Sequence, residues 1–93
     1  MAVLTDSSIQ TALNSLPGWK RNGLAIERTF EFKDFKAAMV FVNKIADAAE
    51  AANHHPDIDI RYNKVKLSLV SHDSGGVTDR DVRMAAEINQ LAG

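Results

Sequence analysis

The chain contains no cysteine. Disulfides, thiolate zinc sites and cysteine nucleophiles are therefore excluded at once. It also lacks an excess of either charge: 11 basic and 12 acidic residues leave a net charge of −1. That balance implies no general affinity for nucleic acid or for a membrane surface. Long apolar runs are missing too. The most apolar stretch is broken by Lys44, Asp47 and Glu50, so nothing reads as a membrane span. No basic stretch followed by an apolar segment opens the chain, so no signal peptide is expected, and a cytoplasmic protein is. What remains is a chain of 93 residues, 45% of them hydrophobic. That suits one domain, spanning 1–93, with a real but thin core.

Periodicity and turn chemistry give the order of elements. Thr5 is a good N-cap, with Leu4 and Ile9 placed to staple the start of a first helix. Ile9, Ala12, Leu13 and Leu16 form its apolar face, and Pro17-Gly18 ends it. Trp19-Lys20-Arg21 reads as a short strand and Asn22-Gly23 as a hairpin turn. The second strand runs from Leu24 to Phe32, with Leu24, Ile26, Phe30 and Phe32 on one face. Arg28 interrupts that face, which suggests a position near an edge.

Asp34 can cap a long central helix whose apolar stripe is Phe35, Ala38, Val42, Ile45, Ala49 and Ala52. That helix must stop near Asn53, because His55 precedes Pro56 and a residue before proline avoids the α region. Ile58, Ile60 and Tyr62, then Val65, Leu67 and Leu69, alternate with polar residues as two further strands around a turn at Asn63-Lys64. Tyr62 reads as core. After a loop at Ser74-Gly75-Gly76, Thr78 and Asp81 form a capping box stapled by Val77 and Val82. Ala85, Ile88, Leu91 and Ala92 make the buried face of the last helix. The expected fold is α+β, in the order α-β-β-α-β-β-α, with a four-stranded antiparallel sheet covered by helices on one face.

All three histidines, His54, His55 and His72, fall within nineteen residues. With an unperturbed pKa of roughly 6.5, histidine exchanges protons near neutral pH. A two-residue turn at Asn63-Lys64 would set Tyr62 opposite Val65, and extending that register sets His55 opposite His72. His54 would line the same rim. Metal binding is one use of such a cluster, but adjacent His54 and His55 diverge in an extended segment, and no H-E-x-x-H pattern is present. No metal is expected. Acid–base catalysis is the other use, one imidazole giving a proton while another takes one. Dehydration or tautomerisation needs that and no nucleophile.

The frame Glu50-x3-His54-His55-Pro56-x5-Tyr62-x9-His72-x8-Asp81 resembles the signature of the pterin-4a-carbinolamine dehydratases. Gly18-Trp19, Phe30-Glu31-Phe32-Lys33-Asp34-Phe35, Tyr62-Asn63-Lys64-Val65 and Thr78-Asp79-Arg80-Asp81 carry the resemblance over nearly the whole chain. It implies dehydration of a 4a-hydroxy-tetrahydropterin, such as 4a-hydroxytetrahydrobiopterin, to the quinonoid dihydropterin, with no cofactor. The substrate would be the spent cofactor of an aromatic amino-acid hydroxylase, which implies a functional link to such an enzyme. By the resemblance, His54 and His72 are the acid–base pair and His55 is the main substrate-holding imidazole. Trp19 and Pro56 offer apolar contact to the pterin. Glu50 and Asp81 are acidic positions that orient imidazoles or the ring's amino groups. Asn53 stands at a substrate-binding position where many members carry aspartate.

Simpler readings stand beside these. Asp81 is explained by the capping box alone, Trp19 is equally suited to the core, and a late-helix glutamate such as Glu50 is often only solvated. A second function class is a protein-binding module, since some animal members of the family bind a homeodomain transcription factor and stabilise its dimer. Met39, Val40, Phe41 and Ala48 lie outside the expected stripe of the central helix and extend its apolar surface. Self-association into a homodimer or homotetramer is the simpler use of that surface.

Overall fold

The computed structural model describes residues 2–93. Its order is α1 (Asp6–Leu13), β1 (Lys20–Asn22), β2 (Ala25–Glu31), α2 (Phe35–Ala52), β3 (Asp57–Arg61), β4 (Lys64–Leu69) and α3 (Asp79–Ala92). The strands form one antiparallel sheet in the order β1-β2-β4-β3, so the expected α-β-β-α-β-β-α topology is the observed one. Ile26 and Phe30 of β2 and Val65, Leu67 and Leu69 of β4 point into one core with Phe41 and Ile45 of α2 and Ala85 and Ile88 of α3. At intervening strand positions Thr29, Lys64 and Lys66 are polar and exposed, as expected for a sheet with helices on one face only.

The caps act as their sequences predict. Thr5 accepts from the Ser8 amide, Asp34 accepts from the Ala37 amide at 2.8 Å, and Thr78 with Asp81 forms the capping box of α3. α2 ends on Asn53, which adopts a left-handed conformation with φ 50°. Asparagine tolerates that region better than most residues, so it serves as a C-cap where glycine is usual. This reversal sends His54 and His55 out of the helix axis.

Three expectations on packing are corrected. α1 ends at Leu13, and Leu16 reaches the core from the turn that follows. The first hairpin pairs Asn22 with Ala25, so its loop is Gly23-Leu24, and Leu24 is 66% exposed at the tip instead of facing the core. Arg28 lies on β2 one residue past Glu27, the last position that β1 pairs with, so it stands near an edge of the sheet on that side. Its guanidinium is accommodated on the core face because it donates to the Pro17 carbonyl and to Asn89 Oδ1, both at 2.8 Å, and sits 4.2 Å from the Phe30 ring centroid. In α2 the buried stripe is Ala38, Phe41, Ile45 and Ala49; Phe35 is 48% exposed. Phe41 is core, with its ring centroid 4.9 Å from those of both Phe30 and Phe32.

The second hairpin departs most. Arg61 pairs with Lys64, so the loop is Tyr62-Asn63, and Ile60 faces Val65 where Leu67 was expected. Tyr62 takes the left-handed conformation at φ 53° and is 67% exposed, so it is a turn residue and not core. The shift of two positions removes His72 from the place opposite His55.

Candidate active site

The expected site residues separate into three groups. The first is buried. His54 follows the left-handed turn at Asn53, its amide donating to the Ala49 carbonyl. That turns its ring under α3, where His54 Nε2 lies 2.5 Å from Asp81 Oδ1. Asp81 is fully buried. Its other oxygen, Oδ2, accepts from the Thr78 amide at 2.8 Å and from the Ser71 hydroxyl at 2.9 Å. Ser71 Oγ and Thr78 Oγ1 are themselves 2.8 Å apart. A carboxylate whose second oxygen already takes two donors acts as the acceptor at the first. His54 Nε2–H is therefore the donor, which fixes the tautomer and leaves Nδ1 as the exchangeable position. Among the described residues Nδ1 has no protein partner, and it reaches solvent.

The second group is on the surface. His55 Nε2 is 2.5 Å from Glu50 Oε2, one turn back on α2, and both side chains are more than half exposed. His55 thus has its own carboxylate in Glu50. Pro56 is buried beside this pair, whereas Asn53 is exposed at the helix end.

The third element is His72. It is exposed and has no side-chain hydrogen bond among the described residues. The chain brings it to the first group through its neighbour, since Ser71 is bonded to Asp81.

Two of the expected substrate contacts, Asp81 and Trp19, are buried. Asp81 has both oxygens engaged by protein partners and no exposed surface. Trp19 is 6% exposed within the core, and its indole N–H donates to Asn89 Oδ1 at 2.8 Å. Ser71 and Thr78 were missed as members of the network; adjacency to His72 and the capping position were their only sequence signals. A cavity of about 310 Å³ opens beside His54 between the end of α2 and α3. Arg80, Arg83, Met84 and Glu87 line it with His54 and Ala52, while His55 and His72 stand outside that lining. Among the described residues no three histidine or carboxylate side chains converge in a way that would hold a metal ion.

Residues 2–91 match the family described as pterin 4 alpha carbinolamine dehydratase. A protein of Koribacter versatilis, provisionally named a pterin-4-alpha-carbinolamine dehydratase, is 66% identical over 88 residues, covering 95% of this chain and 94% of that one. One from Thermomicrobium roseum with the same provisional name is 51% identical, covering 99% of each chain. The crystal structure of a transcriptional coactivator/pterin dehydratase from Brucella melitensis superposes with a TM-score of 0.95 at 41% identity, over 98% of this chain and 99% of that one. A pterin dehydratase-like protein described as a RuBisCO assembly factor in the alpha-carboxysome shares the fold, with a TM-score of 0.68 at 20% identity over 81% of this chain and 87% of that one. This chain belongs to the pterin 4 alpha carbinolamine dehydratase family.

Proposed function

We propose that the protein dehydrates a 4a-hydroxy-tetrahydropterin to the quinonoid dihydropterin by histidine acid–base catalysis. The observation that carries this reading is the His54–Asp81 pair, a buried carboxylate holding an imidazole in one tautomer with its other nitrogen free. In the reaction the C4a–O bond breaks and the oxygen leaves as water, taking a proton from an imidazolium. A ring N–H gives its proton to a neutral imidazole, and its electron pair forms the new C=N bond. Atoms and charge balance with no nucleophile and no cofactor. His54 and His72 are the proton-transfer pair, and His55, oriented by Glu50, holds the substrate. Asp81 positions His54, and Pro56 and Asn53 shape the rim. Family membership supports the substrate class, and a pterin from an aromatic amino-acid hydroxylase is its natural source. No helix among the described residues is long and apolar enough to cross a membrane, and a cytoplasmic setting suits such a source.

Stopped-flow mixing with chemically generated 4a-hydroxy-tetrahydropterin tests the activity. Water loss should be faster than the buffer rate and unchanged by a chelator. A rate equal to buffer alone rejects the reading; loss to chelator with recovery on zinc replaces it with metal chemistry.

Self-association belongs to the same proposal. Ile58 and Ile60 on the edge strand β3 are 38% and 37% exposed, and a second copy would cover them. The similarity to the Brucella transcriptional coactivator/pterin dehydratase supports a protein-binding role as the second reading.

A further inference from the structure

His72 has no side-chain hydrogen bond of its own among the described residues, yet both of its neighbours are tied to one place. On one side, the Ser71 hydroxyl reaches Asp81 Oδ2 at 2.9 Å and Thr78 Oγ1 at 2.8 Å. On the other, Asp73 Oδ1 accepts from Arg80 Nη2 at 2.6 Å. Between them the Ser71 carbonyl accepts from the amides of Ser74, Gly75 and Gly76, closing residues 71–76 into a tight loop. The side-chain ties from this loop end on Thr78, Arg80 and Asp81, at the start of α3. The same turn holds His54 through Asp81.

Arg80 is set for this task more than for solvation. Its side chain is 29% exposed, and its Nε is buried with no hydrogen-bond partner. A guanidinium usually satisfies its donors, so an orphaned Nε means that other contacts decide where the group lies. Among the described residues the tie to Asp73 is its one ion pair. That hydrogen bond holds the Asp73 carboxyl below its ordinary value, ahead of the opposing effect of burial. A largely exposed ion pair adds little to global stability. Its effect is local: it fixes the loop that carries His72.

We propose that Arg80 is a positioning residue for His72, acting through Asp73 to clamp the 71–76 loop onto the first turn of α3. The two proposed proton-transfer histidines then share one anchor, with Asp81 setting His54 and Arg80 setting the loop of His72. The inference rests on the reading of His54 and His72 as the working pair.

The test compares Arg80→Gln, Asp73→Ala, the double variant, Arg80→Lys and His72→Ala in the full chain. Two readouts are needed: dehydration kinetics, and backbone NMR relaxation of residues 72–75. Arg80→Gln and Asp73→Ala should each lower kcat by up to ~100-fold, the cost of an ångström-scale misplacement, with KM changed far less. The double variant should be no worse than the worse single one, and Arg80→Lys should restore part of the rate. Loop amides should lose order in both single variants while the His54 ring signals stay put. A normal kcat in Asp73→Ala beside a low one in Arg80→Gln would overturn the proposal, because Arg80 would then act on the substrate directly. Unchanged loop order would overturn it as well. If His72→Ala keeps full kcat while the loop loosens in the Arg80 variant, the clamp exists but the role given to His72 fails, which overturns the catalytic half of the inference. Fold integrity is read independently from the His54 signals.

Discussion

Asp81 uses one carboxylate oxygen to cap α3 and the other to hold His54. Oδ2 takes the Thr78 amide at 2.8 Å and Oδ1 faces His54 Nε2 at 2.5 Å. The capping-box reading and the imidazole-orienting reading of this residue are therefore compatible, one for each oxygen. Replacing it with asparagine separates them. The new side chain would still offer an acceptor to the Thr78 amide but would turn its NH2 toward His54, forcing the other tautomer. We expect Asp81→Asn to lose roughly 10²–10⁴-fold in kcat, the range of one acid–base group. The stability cost should stay near ~1–3 kcal/mol, that of a disturbed buried hydrogen bond. Paired kinetics and urea unfolding measure both; a variant that unfolds outright with unchanged kcat per folded molecule would contradict the assignment.

The division of labour among the histidines is separable by kinetics. His54→Ala and His72→Ala should mainly lower kcat, while His55→Ala should mainly raise KM, as when ground-state binding is lost. Glu50→Gln should follow His55 and raise KM without a measurable stability change, since an exposed pair contributes ~0–1 kcal/mol. Steady-state curves for the four variants decide it. A His55 variant with normal KM, beside raised KM in the other two, would reverse the roles.

How much of this was legible in the sequence depends on what each signal measures. The elements, their order and the three N-caps follow from short-range chemistry at Thr5, Asp34 and Thr78, and those readings hold. Which way a helix or hairpin faces depends on a register that one residue can move. Asn63-Lys64 looked like the turn, but Tyr62 takes the left-handed position and the pairing slides by two residues. Periodicity alone put Phe35 inward and Phe41 outward, because both have apolar neighbours at helical spacing. Tertiary packing against Phe30 and Phe32 chose Phe41. At the site, the histidine frame holds His54, His55 and His72 together with the carboxylates Glu50 and Asp81. The buried link runs through Ser71, which has no distinctive local pattern, and through Thr78, whose capping signature says nothing of Ser71, so only the folded chain reveals it.

Glu27 gives a pH-dependent prediction apart from the histidines. The Asn22 side-chain amide donates to its Oε2 at 3.2 Å and Lys66 lies 3.4 Å away. The Asn22 bond first, and Lys66 after it, outweigh desolvation and hold Glu27 below its ordinary 4.5. A carboxyl depressed on folding contributes stability that is present above the unfolded value and is lost as pH falls through the folded one. The Tm of Glu27→Gln should therefore lie below that of the unchanged protein at pH 7. The gap should close as pH drops below about 4.5. A gap that is constant across that window would show that the charge is irrelevant.

Assembly supplies the last prediction, and the fold changes where it should be tested. The expected apolar extension of α2 included Phe41, but that ring is 3% exposed in the core. Phe41→Ala should cost ~3–5 kcal/mol in every assembly state, as core truncations of this size do, so it reports on folding. The edge strand β3 is the better probe. Among the described residues it pairs only with β4, on one side, so its other edge presents unpaired N–H and C=O groups, an arrangement that invites another strand. Ile58 and Ile60 on that strand are 38% and 37% exposed, and Tyr62 beyond them is 67% exposed. A second copy that covered this edge would bury apolar surface and satisfy the backbone together, and twofold pairing is the commonest way copies of one chain do so. We expect light scattering to give at least a dimer at micromolar concentration. Ile60→Asp should lower the mass toward that of the monomer while the far-UV spectrum and the His54 resonances remain. A monomer before any substitution, or an Ile60→Asp protein of unchanged mass, would show that β3 is not the contact.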